Sequence, residues 1–288
     1  MASEKQIKEE IQRFNSLRVL THAYEEIASI RMKNSRDAVL TGRVFLDEIN
    51  KIFEEVRISY ARKVKILAKK RGSKGSERLT FLSHNGRTVA VFLSANTGLY
   101  GDIVKNTFGT FMQEVKEKGS EVTIVGRYGL SLYMQEKPDA PYTFFDLPDN
   151  NAKPEQMAEI IKHIVQYEEI HVYYGRFLNV ISQKPTMFSI SAEISLSEGG
   201  EITSIPYIFE PTLEGILMFF EKEIFASLFE QAVYESELAK NASRVVAMDK
   251  ASENIKNYIN KLNIDKLKAN HRVANKKQLN SMSSLFLR

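Results

Sequence analysis

The sequence predicts an α/β protein in which long N- and C-terminal helices pair as an antiparallel coiled coil beside a central sheet domain. Two observations lead to this fold class. All seven prolines lie between Pro138 and Pro211, and because proline breaks helix interiors, both terminal thirds are free to form long helices. In the middle third, short β-branched and aromatic runs alternate with helical stretches, which is typical of a parallel sheet.

Each terminal third carries an apolar stripe with helical spacing. In the N-terminal third, apolar residues recur at steps of three and four: Ile7, Ile11, Phe14, Leu17, Leu20, Tyr24, Ile27 and Ile30, resumed by Phe45, Ile49, Ile52 and Val56. The C-terminal third repeats the pattern at Leu238, Ala242, Val245, Met248, Ala251, Ile255, Tyr258 and Leu262. Residues 212–215 provide a start for the second helix after Pro211.

The C-terminal helix is predicted to be very long. If it runs uninterrupted from about Leu213 to Leu285, its length is about 110 Å, far more than a compact domain of this size can cover. Isolated helices draw most of their stability from burying an apolar face, and each buried Leu or Ile contributes about 1.5–3 kcal/mol. We therefore expect the two apolar stripes to pack against each other.

The middle of the chain predicts a Rossmann-like α/β domain. Strand-like runs occupy Thr88–Leu93, Glu121–Val125 and residues 169–174, with further strand-like sequence at 184–208. Helices are expected at residues 102–118, 128–135 and 154–167, the last with Pro154 in its first turn. The expected domain order is an N-terminal helix over residues 1–68, a basic linker over 69–78, the α/β domain over 79–210 and a C-terminal helix over 211–288.

Composition indicates a folded, soluble protein. With 43% hydrophobic residues the chain can bury a substantial core, and no apolar run approaches the roughly 20 residues needed to span a bilayer. The N-terminus has no apolar stretch typical of a secretory signal, so we expect a cytoplasmic protein whose membrane contact is at most peripheral. The absence of cysteine excludes disulfides, thiolate zinc sites and thiol redox switches.

The residue patterns predict neither catalysis nor cofactor binding. The loop at residues 94–101 lies between a strand and a helix, where α/β folds bind phosphates, but it matches no phosphate-binding pattern, so a plain tight turn is expected. The five histidines show no metal-ligand spacing. Adjacent carboxylates such as Glu54 and Glu55 point in different directions on a helix. We therefore expect no catalytic residue, no metal and no cofactor.

Two basic clusters suggest a partner. Residues 62–74 contain seven Lys or Arg and no acid, and residues 261–288 contain seven Lys or Arg against Asp265 alone. Such clusters can be a solvated face, a nucleic-acid site or a surface for an acidic protein. No helix-turn-helix, zinc finger or RNP-like motif accompanies them. The pattern therefore favours a protein partner over nucleic acid.

Five blocks of sequence resemble the gamma subunits of F-type ATP synthases. Residues 237–254 read ELAKNASRVVAMDKASEN, similar to the family's C-terminal signature, in which a small residue and Arg precede A-M-D-x-A-x-x-N. LTHAYEEIA at 20–28 resembles I-T-K-A-M-x-M-V-A, and 94–103 resembles S-D-R-G-L-C-G-G. NVISQKPT at 179–186 ends like S-Q-x-P-T, and YIFEP at 207–211 resembles Y-x-Y/F-E-P. The blocks occur in the family's order and span nearly the whole chain.

The resemblance implies a non-catalytic central shaft that couples rotation to nucleotide-site changes. The implied partners are the alpha and beta subunits of the catalytic head, the epsilon subunit and the membrane rotor ring, with one copy of this chain per complex. Candidate contacts with the alpha and beta ring are Thr21, Ala23, Ile27, Ala28, Met32, Ser243, Arg244, Met248, Asp249, Asn254, His271 and Arg272. Tyr207 and Glu210 match positions that face the rotor ring.

The departures from the family pattern leave alternatives open. The chain has His271-Arg272 where the family usually has Arg-Gln, and Asn96-Thr97 replaces Asp-Arg before Gly98. These changes suggest a divergent branch, and one alternative is the shaft of an F-like ATPase not coupled to ion translocation, such as a gliding-type motor. A small α/β enzyme with coiled-coil arms is a further alternative, although the residue patterns offer it no catalytic site.

Overall fold

The computed structural model describes residues 4–59, 85–189 and 213–286. Its elements in chain order are α1 (Glu4–Ser59), β1 (Thr88–Leu93), α2 (Ile103–Lys118), β2 (Glu121–Val125), α3 (Arg127–Glu136), β3 (Thr143–Phe145), α4 (Pro154–Ile164), β4 (Glu169–Phe177), β5 (Gln183–Ser189) and α5 (Leu213–Phe286). Two long terminal helices and a central sheet domain are therefore present, and the predicted fold class is confirmed.

The five strands form one sheet in the order β3-β2-β1-β4-β5. The first four strands run parallel, with Ala90 of β1 opposite Val122 of β2 on one side and His171 of β4 on the other. The last strand, β5, pairs antiparallel with β4. The strand order changes direction at β1, because β1 pairs with β2 on one side and with β4 on the other. In open α/β sheets the binding crevice lies at such a switch point.

Both faces of the sheet are covered, which explains the nearly continuous apolar strands. One face packs on α4 and on α5, through residues such as Val91, Met157 and Phe229. The other face packs on α2 and α3, where Phe92 stacks on Phe111 with ring centroids 5.3 Å apart. A strand buried on both faces cannot alternate polar and apolar residues, and β1 is accordingly buried along almost its whole length.

The predicted elements of the domain differ from the structure mainly at their ends. The structure extends β4 to Phe177 and ends α4 at Ile164, three residues before the predicted end. The short strand β3 is absent from the prediction, because three half-buried residues carry little periodicity. The predicted strand-like sequence from 190 to 208 and the basic linker at 69–78 lie outside the described residues.

The chain divides into two compact units. The smaller contains Met1–Ile30 and Arg244–Arg288, and the larger contains Arg31–Ser243. The long helices α1 and α5 each contribute to both units. Within the described ranges, no helix combines the length and the apolar character that crossing a bilayer requires.

In the smaller unit, α1 and α5 pack as an antiparallel pair. The guanidinium of Arg244 lies 6.0 Å from the ring centre of Tyr24. Farther along, the ring of Phe14 lies 4.6 Å from that of Tyr258, whose hydroxyl donates a hydrogen bond to Glu10 over 3.2 Å. Since contacts move toward the start of α1 as they move toward the end of α5, the helices run in opposite directions, as predicted.

The interface of α1 with α5 differs from the predicted stripe. Ile7 and Ala28 are buried, and Ile11 and Phe14 are half-buried. The other members up to residue 30 are about half exposed, namely Leu17, Leu20, Tyr24, Ile27 and Ile30. Of the members that resume the stripe, Phe45 and Ile52 are about half exposed and Ile49 is half-buried, while the side chain of Val56 lies outside those described. The prediction that the whole stripe packs on α5 is therefore wrong, because positions spaced by seven, with small side chains at Thr21 and Ala28, face the partner helix instead.

Candidate functional surfaces

The smaller unit presents a partly exposed apolar row along α1, which includes Tyr24 beside Arg244 of α5. Leu17, Leu20, Tyr24, Ile27 and Ile30 are between 42% and 62% exposed. Their spacing of three and four residues lines them along one side of the helix. A row of large apolar side chains that the chain itself leaves partly uncovered is typical of a surface that contacts another protein.

The last part of α5 is a second exposed surface. Every residue from 270 to 282 is exposed, including Leu279 and Met282. Lys276 and Lys277 belong to this segment, so it is basic as well as exposed. The predicted ring-contact residues His271 and Arg272 lie here on the helix surface.

The other predicted ring-contact residues fall into three groups. Ala23, Ile27, Asp249 and Asn254 are exposed and Thr21 and Met32 are half-buried. Ala28, Ser243, Arg244 and Met248 are buried within the chain. The predicted rotor-ring residues Tyr207 and Glu210 lie outside the described residues. Contact with the alpha and beta ring stays a prediction for the first three sets, and contact with the rotor ring stays one for Tyr207 and Glu210. The buried set is available mainly for packing between helices.

The larger unit contains a polar segment of α5 that is buried against α1 and the sheet domain. It covers residues 235–241, and Glu235, Glu237, Lys240 and Asn241 within it are each less than a tenth exposed. Buried charged groups require partners, because an unpaired charge in the protein interior is very costly. The partners come from three different parts of the unit.

Glu235 binds the first helix and the sheet. Arg43 of α1 donates a hydrogen bond to its carboxylate over 2.8 Å. Arg176 of β4 lies 3.8 Å from the same carboxylate, and Tyr174 donates to it over 3.5 Å. Burial, followed by the negative charge of Glu235, raises the pKa of Tyr174 to about 12.

Lys240 binds the carboxyl end of β1. Its ammonium donates to the carbonyl oxygen of Ser94 over 2.9 Å and lies 3.8 Å from the carboxylate of Asp149. The hydroxyl of Ser94 is buried without a hydrogen-bond partner among the described residues. The contact with the strand end holds α5 against the edge of the sheet where β1 and β2 finish.

The loop at residues 94–101 binds an acidic side chain of the protein itself. The backbone amides of Asn96 and Thr97 donate to the carboxylate of Asp149 over 2.6 and 3.0 Å, and the Thr97 hydroxyl adds a third bond of 2.8 Å. These amides occupy the position at which α/β folds hold phosphate. In this chain they serve to attach the loop before α4 to the end of β1.

Two further pairs of ionisable groups lie in the sheet domain. His171 of β4 contacts the Glu114 carboxylate of α2, and both side chains are buried. The Tyr167 hydroxyl donates to Glu121 over 2.6 Å; burial, followed by this hydrogen bond, raises the pKa of Tyr167 to about 12. Among the described residues, no group of three or more His, Cys, Asp or Glu could hold a metal ion.

The polar segment of α5 is absent from the predictions, although the sequence carries a signal for it. Glu235, Glu237, Lys240 and Asn241 occur in the stretch where the apolar pattern of α5 begins at Leu238. Polar residues on a helix face that packs against other elements are candidates for specific pairing. The composition of the stretch could have suggested a junction, but the partners could not be named without the fold.

Comparison with known proteins identifies the family. A family model described as ATP synthase matches residues 3–271. The ATP synthase gamma chain of Pelotomaculum thermopropionicum is 22% identical over 277 residues, covering 92% of this chain and 91% of that protein. The ATP synthase gamma chain of Glaesserella parasuis serovar 5 is 25% identical over 277 residues, covering 92% of each.

Solved structures share the fold. The central stalk of the Tetrahymena thermophila mitochondrial ATP synthase contains a chain that matches with a TM-score of 0.58 at 20% identity, covering 81% of this chain and 99% of that one. A chain of the Euglena gracilis mitochondrial ATP synthase matches with a TM-score of 0.55 at 16% identity, covering 88% and 93%. Because the family match includes α1, the whole sheet domain and most of α5, this chain belongs to the ATP synthase gamma family.

Proposed function

We propose that this chain is the central rotor shaft of a rotary ATP synthase. The observation that carries the proposal is the family match over residues 3–271, which includes both long helices as well as the sheet domain. The antiparallel pair formed by α1 and α5 is consistent with a shaft, because paired helices resist bending better than one. Its relatives are named ATP synthase gamma chains, which favours a synthase over the gliding-type motor considered above.

The proposed partners are the alpha and beta subunits of the catalytic head, the epsilon subunit and the membrane rotor ring, with one copy of this chain in each complex. The exposed row from Leu17 to Ile30 supplies apolar contact area for the head. The basic end of α5 offers contacts to acidic loops. In this proposal the complex lies on the cytoplasmic face of a membrane, and the chain is peripheral.

The mechanism we propose depends on asymmetry. The helix pair differs from side to side, because the exposed apolar row from Leu17 to Ile30 lies along one side of α1. The end of α5 adds a basic exposed surface farther along the axis. Each of three surrounding catalytic sites would therefore meet a different surface and be held in a different conformation. Rotation of the shaft exchanges these conformations. The chain itself contributes no catalytic group in this mechanism.

Among the predicted contact residues, we assign the two roles by exposure. The exposed ones would contact the head: Ala23, Ile27, Asp249, Asn254, His271 and Arg272. The buried ones, Ala28, Ser243, Arg244 and Met248, would instead fix the spacing of the helices. Thr21 and Met32, which are half-buried, border both groups.

Native mass spectrometry of the complex purified through a tag on this chain tests the proposal. One copy of the chain with equal numbers of alpha and beta subunits, together with epsilon and rotor-ring subunits, is the expected result. Recovery of alpha and beta with other partners and no rotor ring would indicate a repurposed motor in place of a synthase. Absence of alpha and beta would overturn the proposed shaft function. The purified chain alone should hydrolyse no ATP.

A further inference from the structure

The carboxylate of Glu237 on α5 joins three parts of the larger unit. One of its oxygens accepts a hydrogen bond from the Ser35 hydroxyl of α1 over 2.6 Å. The other accepts from the backbone amide of Asn151, in the loop before α4, over 3.2 Å. The side chain is 6% exposed, so a single buried carboxylate links both long helices and the sheet domain.

The neighbours of Glu237 along α5 form parallel links. Lys240 binds the end of β1 through the Ser94 carbonyl. Asn241 donates to the side chain of Asn150 over 2.9 Å, and Glu235 binds α1 through Arg43. Within seven consecutive residues, α5 is therefore attached to the first helix and to two loops of the sheet domain.

The first helix is attached to α5 in a register that a purely apolar interface would not specify. The Gln231 side chain donates to the carbonyl oxygen of Val39 over 3.2 Å, and it occupies the space above Gly42, where any Cβ would collide with it. Ser35, Val39 and Arg43 are spaced by four residues and so lie along one face of α1. Polar groups at a helix interface fix register, because a shift leaves each of them unpaired.

We propose that Glu237 is a positioning residue that makes the sheet domain turn together with α1 and α5. Torque then passes between the helices and the sheet domain with little relative movement. This inference rests on the proposed shaft function. Apolar side chains packed between helices also resist displacement, but breaking their contacts leaves no buried polar group unpaired. Displacing the buried Glu237 carboxylate breaks its hydrogen bonds to α1 and to the sheet domain at the same time. The junction of the helices with the domain is therefore stiff to rotation in either direction.

A single-molecule rotation experiment on the assembled complex tests this inference. The chain contains no cysteine, so Lys105→Cys, at an exposed position on α2, gives one attachment point for a bead on the sheet domain. The variants are Glu237→Leu, which removes both hydrogen bonds, and Glu237→Gln, which keeps the shape and one acceptor. The readouts are the angular spread of the bead during ATP-waiting pauses, and ATP turnover per complex.

A matched control separates stiffness from stability. Met112→Ala creates a cavity on the α2 side of the sheet, in a core cluster that contains no residue of α5, and its thermal stability is measured beside that of the Glu237 variants. We expect Glu237→Leu to widen the angular spread while ATP turnover stays at the parent level. Glu237→Gln should restore part of the stiffness, and Met112→Ala should leave the spread unchanged.

An unchanged spread in Glu237→Leu, or an equal widening in Met112→Ala, overturns the role of Glu237 and leaves the shaft function intact. If the parent complex assembles with alpha and beta but turns no bead, the shaft function fails and the inference fails with it. Should Glu237→Leu not fold, Ser35→Ala decides by the same comparison, because it removes only the hydroxyl that α1 contributes.

Discussion

Lys240 on α5 donates a hydrogen bond of 2.9 Å to the carbonyl oxygen of Ser94, the first residue after β1. The Lys240 side chain is about nine-tenths buried, and its ammonium lies 3.8 Å from the carboxylate of Asp149, whose side chain is similarly buried. That carboxylate in turn holds the amides of Asn96 and Thr97. One lysine therefore joins the long helix, a strand end and the loop before α4.

Replacing this lysine should destabilise the larger unit. We expect Lys240→Met to lower the free energy of unfolding by about 2–4 kcal/mol, because the Asp149 charge loses its buried partner and the Ser94 carbonyl loses its donor. Urea unfolding of the full chain measures the change. Lys250→Met, at an exposed position of the same helix, should change the free energy by less than about 0.5 kcal/mol; equal losses in the two variants would contradict the pairing.

Two glycines should respond oppositely to alanine. A Cβ at Gly129 would lie 2.5 Å from the Cβ of Ser94 and 2.9 Å from the ring of Phe92, so Gly129→Ala should cost about 1–3 kcal/mol through overpacking. At Gly109 in α2 an added Cβ would meet no atom within 4 Å outside its own stretch of helix backbone, and Gly109→Ala should stabilise by about 0.5–1 kcal/mol through the higher helix propensity of alanine. Thermal unfolding compares them, and a stable Gly129→Ala would show that α3 can move away from β1.

Stability should fall at high pH because of two tyrosines. The pKa values of Tyr167 and Tyr174 are both raised from 10.0 to about 12. Groups with a raised pKa in the folded state contribute stability that is fully present below the unfolded value. It should therefore be lost as pH rises from about 10 toward 12, as the unfolded chain releases protons first. Denaturant unfolding across this range should show a shallower decline in Tyr174→Phe.

Tyr167→Phe should alter the pH profile at both ends. The hydrogen bond from Tyr167, followed by one from Arg87, lowers the pKa of Glu121 below its ordinary value. A carboxylate with a lowered pKa contributes stability above the unfolded pKa, and the contribution is lost as pH falls through the folded pKa. In a plot of the free energy of unfolding against pH, the variant should therefore show a shallower decline on the acid side as well as on the alkaline side. A profile identical to that of the parent would exclude the Tyr167–Glu121 pairing.

The exposed row on α1 gives a test of partner binding. Ile27 is 44% exposed, so Ile27→Asp should change the stability of the isolated chain by less than about 0.5 kcal/mol. If the row contacts the catalytic head as proposed, the same change should weaken assembly with alpha and beta subunits, measured by native mass spectrometry at matched concentrations. Normal assembly of the variant would place the contact elsewhere on the helix pair.

The sheet domain was largely predictable because its strands are long apolar runs. The run at Thr88–Leu93 is buried on both faces, and such a strand can be recognised from its apolar composition alone. The run at Glu121–Val125 is similar. By contrast, β3 has three half-buried residues and lies between Pro141 and Pro148, so neither length nor pattern marks it. Its place is decided by pairing with β2, which only the assembled sheet provides.

The arrangement of the helices was predictable, but the interface of α1 was predictable only in part. Two rows of residues on α1 repeat with nearly the same period, one large and apolar through Leu20 and Ile27, the other smaller through Thr21 and Ala28. Hydrophobicity favours the first row. The structure buries Ala28 and half-buries Thr21, since small side chains allow two helices to approach closely. Which of the two rows faces α5 depends on the side chains of α5, and the sequence of α1 alone does not determine it.

The contacts of Glu237 illustrate a further limit of sequence reasoning. Its bond to Ser35 joins residues 202 positions apart, and its bond to Asn151 joins it to a loop 86 positions away. No local pattern encodes such pairs. They follow from the relative register of α1, α5 and the sheet, each of which is determined mainly by apolar packing.

The exposed end of α5 affects the chain before it joins any complex. From residue 270 to 282 the helix has no buried side chain, and helices of this length are only marginally stable when nothing covers them. We therefore expect this segment to fray and to be cut by proteases more readily than the buried part of α5 for as long as no partner covers it. If a partner of this chain encloses the segment, binding would protect it, so bound chains would outlast unbound ones.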